Sequence, residues 1–194
     1  MRKDTLTFAD RQPQVTVCNG GRQALVLLNE RAKEVVPVMP EREWSEEPET
    51  RTEYEYDAWW LQISGQRDAD ILAAAKNGVL EEIATYDKSE AVNAFSINGK
   101  TAWLDKATRV GLMNSVAIAK TMGHGSTVLW IGGLAMEMTC NKAIELLSAL
   151  EMYAQECYNT TAMHQEAVRE LSDVTDVLNY DYRSGYPERL YFDV

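Results

Sequence analysis

Residues 139–171 read TCNKAIELLSALEMYAQECYNTTAMHQEAVREL. Small and apolar side chains fall at Ala143, Leu147, Leu150, Ala154, Cys157, Thr161, His164, Val168 and Leu171. Steps of four and three alternate without a slip, which is the stripe that a single long helix turns toward a partner surface. Neither Gly nor Pro interrupts it, and Thr139 stands where an N-cap hydroxyl takes up a first-turn amide. The positions opposite, Glu145, Glu156, Asn159, Gln165 and Arg169, are polar. One helix over about 140–171 is expected, with the rest of the chain arranged around it.

Just before this helix, Thr127–Ile131 and Leu134–Met138 flank Gly132-Gly133, a dipeptide that accepts the positive φ of a tight hairpin. Earlier still, Asp105 opens a helix to about Met122 with Leu112, Val116 and Ala119 facing inward, and Gly123-His-Gly-Ser126 ends it as a glycine C-cap. Phe95–Ile97, Asn98-Gly99 and Thr101–Trp103 form a second hairpin. Asp68 caps a helix over about 69–87, with Ile71, Leu72, Ala75, Val79, Leu80 and Ile83 on one side. Gly78 weakens that helix by about 1 kcal/mol relative to Ala without breaking the stripe.

The first 65 residues have a different texture. Thr5–Phe8 and Gln14–Cys18 alternate apolar with polar, Asn19-Gly-Gly21 is a turn, Arg22–Leu28 is the returning strand, and Lys33–Val38 reads as another strand ending at Pro37 and Pro40. Glu41–Asp57 is dense in acid and reads as a solvated loop, with the aromatic-rich end of the segment, Tyr54–Ile63, as a closing strand. The expected class is α+β. A small N-terminal β module (1–65, with an acidic loop 41–57) precedes a mainly helical domain (66–194) with two short hairpins and an aromatic tail from Asn179 to Phe192.

Composition narrows the partners. Apolar residues make up 45% of the chain and charged residues 25%, as in ordinary globular proteins, and the net charge is -11. Nucleic acid needs a basic stripe, and no more than two basic residues are adjacent here, so that partner is not expected. No apolar run reaches membrane-spanning length, and MRKDTLTFAD lacks the apolar core of a signal peptide. Cys18, Cys140 and Cys157 are an odd set at unrelated spacings, which points to free thiols in a reducing cytoplasm rather than a disulfide framework.

Candidate chemistry is sparse. Cys157 and His164 lie two turns apart on the long helix with Thr161 between them, a separation too long for two ligands of one metal, and no second Cys-His pair completes a site. His164 is read instead as hydrogen-bonded to a loop. His164-Gln-Glu166 resembles a fragment of a zinc-deaminase motif whose second half is absent. Gly123-His-Gly-Ser126 follows a helix and precedes a strand, the reverse of a phosphate loop. No catalytic residue, metal ligand or cofactor site is assigned. The aromatic residues at the edges of the two segments, Trp59, Trp60, Tyr180, Tyr182, Tyr186 and Tyr191, are the candidate protein interface, since Trp and Tyr anchor interfaces; burial in a core is the competing use.

Four strings also carry a likeness. They are IATYDKSEAVNAFSINGKTAWLDKATRVGLMNSV from Ile83, STVLWIGG from Ser126, AIELLSALEMYAQECYNTTAMHQEAV from Ala143 and NYDYRSGYPERL from Asn179. In this order they resemble a domain-of-unknown-function family of tailed phages and prophages, found beside tail-fibre genes. The resemblance implies a non-enzymatic tail component, a structural or adaptor protein contacting a tail fibre or baseplate, made in the host cytoplasm and carried in the virion tail, with symmetric oligomers as the common form. A fibre-assembly chaperone absent from the virion, and an enzyme built on Cys157 and His164, are the alternatives. The family supplies no catalytic residues to carry over.

Overall fold

A computed structural model describes residues 1–36 and 50–194. The fold is mixed α+β. The elements run β1 (Arg2–Phe8), β2 (Val15–Cys18), β3 (Gln23–Val35), β4 (Arg51–Gln62), α1 (Asp68–Asp87), α2 (Glu90–Asn93), β5 (Phe95–Ile97), β6 (Lys100–Ala102), α3 (Lys106–Thr121), β7 (Ser126–Ile131), β8 (Leu134–Thr139), α4 (Cys140–Glu170), α5 (Val174–Leu178) and β9 (Tyr191–Phe192). The chain divides into two compact units: Met1–Val79 with Glu170–Tyr180, and Leu80–Arg169 with Asp181–Val194. Among the described residues no helix is long and apolar enough to cross a membrane.

The first unit is built on an antiparallel sheet of order β1-β4-β3-β2. Asn19–Gly21 forms the turn between β2 and β3, and all three residues have positive φ. The central strand β4 buries Ala58, Trp59 and Leu61, so both of its faces are covered along that run. One face gathers Leu27, Tyr56 and Ala58 with Leu6, Phe8, Leu25 and Tyr54. β3 and β4 slip register between Leu28 and Arg31 at a bulge where Asn29 has φ 55°.

Two expectations are corrected here. The acidic loop expected over 41–57 does not hold at its end, because Arg51–Asp57 belongs to β4; the part of the segment up to residue 49 lies outside the described residues, as do Pro37 and Pro40. Counting acid over a window hides the alternation of Glu53, Glu55 and Asp57 with Thr52, Tyr54 and Tyr56, which is a strand pattern. The acids are also partnered: Arg31 bonds Glu55 at 2.9 Å and Asp57 at 3.0 Å, and Arg51 bonds Glu53 at 2.6 Å. Lys33–Val38 is likewise no separate strand, since β3 runs without a break from Gln23 to Val35.

The second unit is organised by α4, 31 residues long. The Thr139 hydroxyl accepts from the Lys142 amide at 3.2 Å, the N-cap bond to the third helical residue. Ala143, Leu147, Leu150, Cys157, Thr161 and Val168 of the expected stripe are buried, and Leu146 and Tyr153 widen it. Against its first turns pack Phe95 and Ile97 of β5, Val116 of α3, Leu129 and Ile131 of β7, and Met136 and Met138 of β8. Asn98-Gly99 and Gly132-Gly133 close the two hairpins, all four with positive φ. Asp105 caps α3 by accepting from Thr108 N at 2.9 Å. At its other end Gly123 N donates to Lys120 O and His124 N to Ala119 O, the paired bonds of a Schellman ending around the positive φ of Gly123. β9 adds to β5 in parallel, with Ser96 N donating to Leu190 O and Asn98 N to Phe192 O, both at 2.8 Å.

Leu147 is 1% exposed in this core, so Leu147→Ala is expected to lower stability by about 3 kcal/mol. Met152→Ala, on the same helix but 62% exposed, is expected to change it by less than about 0.5 kcal/mol. Urea denaturation of the two variants checks the contrast. A second expectation concerns acid. Hydrogen bonds from Thr108 hold the Asp105 carboxyl below its ordinary range, and those from Thr175 and Asp176 do the same for Asp173 at the start of α5. A depressed carboxyl adds stability that is present above the unfolded-state value near pH 4 and lost as pH falls through the folded one. Asp105→Asn with Asp173→Asn keeps the caps but not their titration, so the variant should lose less melting temperature than the native chain between pH 6 and pH 3.

Candidate functional site

The second unit carries an open cleft of about 710 Å³, within the range of ligand pockets. Its lining comes from the end of α1 and the α2 segment (Asp87, Lys88, Asn93), from the corner between β6 and α3 (Trp103, Asp105, Lys106, Arg109) and from one face of α4 (Glu151, Ala154, Gln155, Tyr158). The α4 contribution follows from helical spacing, because steps of three and four put these residues on one side. Ala154 leaves space where a larger side chain would fill it. Trp103 and Tyr158 stand 58% and 66% exposed.

Arg109, Glu151 and Asp105 are held in place within the cleft. Arg109, with 14% of its side chain exposed, donates from Nε to Glu151 at 2.8 Å and from Nη1 to Leu104 O at 2.7 Å. Asp105 is occupied as the α3 cap, accepting from the Thr108 amide and hydroxyl. Three acidic and three basic side chains line the cleft, so it is locally balanced in a chain of net charge -11.

Beside the cleft lies a buried polar network on the same stretch of α4. Tyr153 donates to Val92 O at 2.7 Å, and the Cys157 thiol donates to the same carbonyl at 3.2 Å. Thr161 donates to Asp87 Oδ1 at 2.7 Å and shares a hydrogen bond of 2.9 Å with the Tyr186 hydroxyl. Burial pushes the Tyr153 hydroxyl up to about 12 and the Cys157 thiol above its ordinary value, so neither ionises near neutral pH. His164 Nε2 meets Ser184 O at 2.9 Å, and its ring lies 5.6 Å from that of Tyr186. Cys157 and His164 are therefore bonded to different segments and not to each other. Glu166 pairs with Arg169 at 3.2 Å. Among the described residues no group of three or more His, Cys, Asp and Glu is placed to hold a metal.

The six aromatic interface candidates take varied positions. Trp59 and Trp60 point to opposite sides of β4 in the first unit, with the Lys3 ammonium 4.6 Å from one ring and the Arg2 guanidinium 5.4 Å from the other. Both indole nitrogens are buried without a hydrogen-bond partner among the described residues. Tyr180, also in the first unit, is half-buried. In the second unit Tyr182 and Tyr186 pack edge-on against Tyr86, at 5.8 and 5.6 Å, and Tyr182 donates to Glu82 at 3.1 Å. Tyr191 is 76% exposed on β9. Sequence reasoning passed over Tyr158 and Arg109. The available signals were an aromatic one position off the α4 stripe and an arginine one turn past the Asp105 cap.

No family model, no curated protein and no solved structure matches this chain.

The Tyr153 hydroxyl gives a measurable alkaline signature. Its unfolded form ionises near pH 10 and its folded form at about 12, so the stability it contributes is complete below pH 10 and lost as pH rises through 12. Tyr153→Phe is expected to lower stability by about 1 kcal/mol at pH 7 through the lost bond to Val92 and to flatten the decline between pH 9 and pH 11, read by urea denaturation.

Proposed function

We propose that this chain is a non-enzymatic binding protein of a phage tail, a structural or adaptor component that recognises a tail-fibre or baseplate protein. The observation that carries the binding reading is the cleft with Trp103 and Tyr158 exposed beside the locked Arg109–Glu151 pair. Rigid aromatic rings offer large contact area at small entropic cost, and polar groups already fixed by partners within the fold lose little more on binding. Arg109 and Glu151 are tied to each other, Asp105 to the α3 cap and Asp87 to the Thr161 hydroxyl, which supports recognition over proton transfer. The phage assignment rests on the resemblance of the four strings. Every residue lining the cleft lies in two of them, those beginning at Ile83 and Ala143.

The test is quantitative mass spectrometry of purified particles beside infected-cell lysate. A fixed small ratio to a known tail protein in particles is the expected result. A complex with a fibre protein in lysate alone would replace the structural role by that of an assembly chaperone, and absence from both would overturn the reading. Trp103→Ala and Tyr158→Ala, at exposed positions, are each expected to weaken the recovered complex about 30-fold, the effect of losing one hot-spot ring of roughly 2 kcal/mol, with the circular-dichroism spectrum unchanged.

A further inference from the structure

Of the 30 acidic residues in the chain, none falls between Lys106 and Met136, the stretch that forms α3, β7 and the first half of β8. Within it α3 turns Val116 into the core and leaves its other side to solvent. The centre of that outer side is Asn114. Three residues to either side stand Gly111 and Ala117, and four to either side Val110 and Ile118. Seven residues out, Ala107 faces Thr121. All of these are exposed and none is charged, although a quarter of the chain is. At 100° per residue they form one stripe that reads nearly the same in both directions about Asn114.

We propose that this stripe is the contact between two copies of the chain, with two α3 helices packed antiparallel about a two-fold axis at Asn114. Two observations select a second copy as the occupant. In an isologous contact residue i meets j and j meets i; here Val110 would meet Ile118 of the second copy, and Gly111 would meet its Ala117, aliphatic on aliphatic and small on small. Charge selects the same face: two chains of net charge -11 repel through acidic surface, and this is a face on which they meet without acid on either side. The small residues flanking Asn114 permit the close end of helix spacing, about 8 Å.

The size of the face sets the strength. α3 spans 16 residues, about 24 Å, and a stripe about 10 Å wide offers roughly 240 Å² of footprint. A standard interface buries about 800 Å² per partner. The stripe alone is well below that size. The dimer is accordingly weak, with a dissociation constant on the order of 10 µM. It stands independently of the tail assignment.

Sedimentation velocity of the full chain at 0.15 M salt, from 1 µM to 1 mM, tests it. A monomer converting to a dimer over that range is expected. Val110→Glu should weaken the dimer at least tenfold, and adding Ile118→Lys should restore it, because opposite charges then face each other across the axis. Asn114→Cys in a Cys18→Ser background should give a disulfide-linked dimer on mild oxidation. Val110 and Ile118 are 45% and 61% exposed, so these variants should keep the native circular-dichroism spectrum. A chain monomeric at 1 mM, a dimer indifferent to Val110→Glu, or a double variant no better than the single one would each overturn the proposal.

Discussion

A helix of 31 residues is about 46 Å long, and α4 buries side chains from Cys140 to Val168 along nearly all of it. Few single elements are long enough to cover such a stripe, since a strand of six residues spans only about 20 Å. The second unit answers with partners in series. The two hairpins and α3 cover the first turns, from Cys140 to Leu150. Val92 then meets Tyr153 and Cys157, and the returning C-terminal segment meets Thr161 and His164. The sequence of α4 changes with its cover: Leu-rich where it meets apolar hairpins, then Tyr, Cys, Thr and His where backbone carbonyls and a hydroxyl face it. Each buried polar atom there has a partner, as burial without water requires.

This explains why residues 181–194 pack on the second unit. Tyr186 reaches Thr161 and His164, Arg189 donates to Glu90 O at 2.9 Å, Phe192 packs against Phe95 with ring centres 6.1 Å apart, and β9 completes the β5–β6 sheet. Without the segment the polar end of the α4 stripe would lose Tyr186 and the Ser184 carbonyl, and the open edge of β5 would be left unpaired, a site for pairing with other chains. Leu190 and Phe192 of the segment therefore pack against the core of the second unit.

The elements specified by local chemistry were legible in the sequence. Thr139 and Asp105 are capping residues wherever they precede a helix; Asn98-Gly99 and Gly132-Gly133 prefer positive φ with or without the rest of the fold; the α4 stripe is a period within one segment. What escaped depends on distant residues. Glu55 and Asp57 read as solvated loop until β3 supplies Arg31, and β9 has only two residues and exists because β5 offers it an edge. Glu170–Tyr180 joins the N-terminal unit although it begins on the last residue of α4. The cleft is of the same kind. Trp103 and Tyr158 are 55 positions apart, and only the packing of α3 on α4 brings their segments together.

α3 links the cleft to the proposed contact face. Its first turn supplies Lys106 and Arg109 to the cleft, while its outer side carries the stripe centred on Asn114. In an antiparallel pair the two first turns lie at opposite ends, separated by about the 24 Å length of a 16-residue helix. Pairing through the stripe therefore places the two clefts at opposite ends of the helix pair. A partner presenting two or more copies of a cleft ligand, as any symmetric assembly does, would then be held at two points. The second engagement becomes intramolecular, so a weak dimer and modest individual sites can combine into firm attachment to an assembled partner while leaving single subunits largely unbound. The low strength inferred for the dimer is thus compatible with the proposed binding role: it favours a multivalent target over the isolated chain.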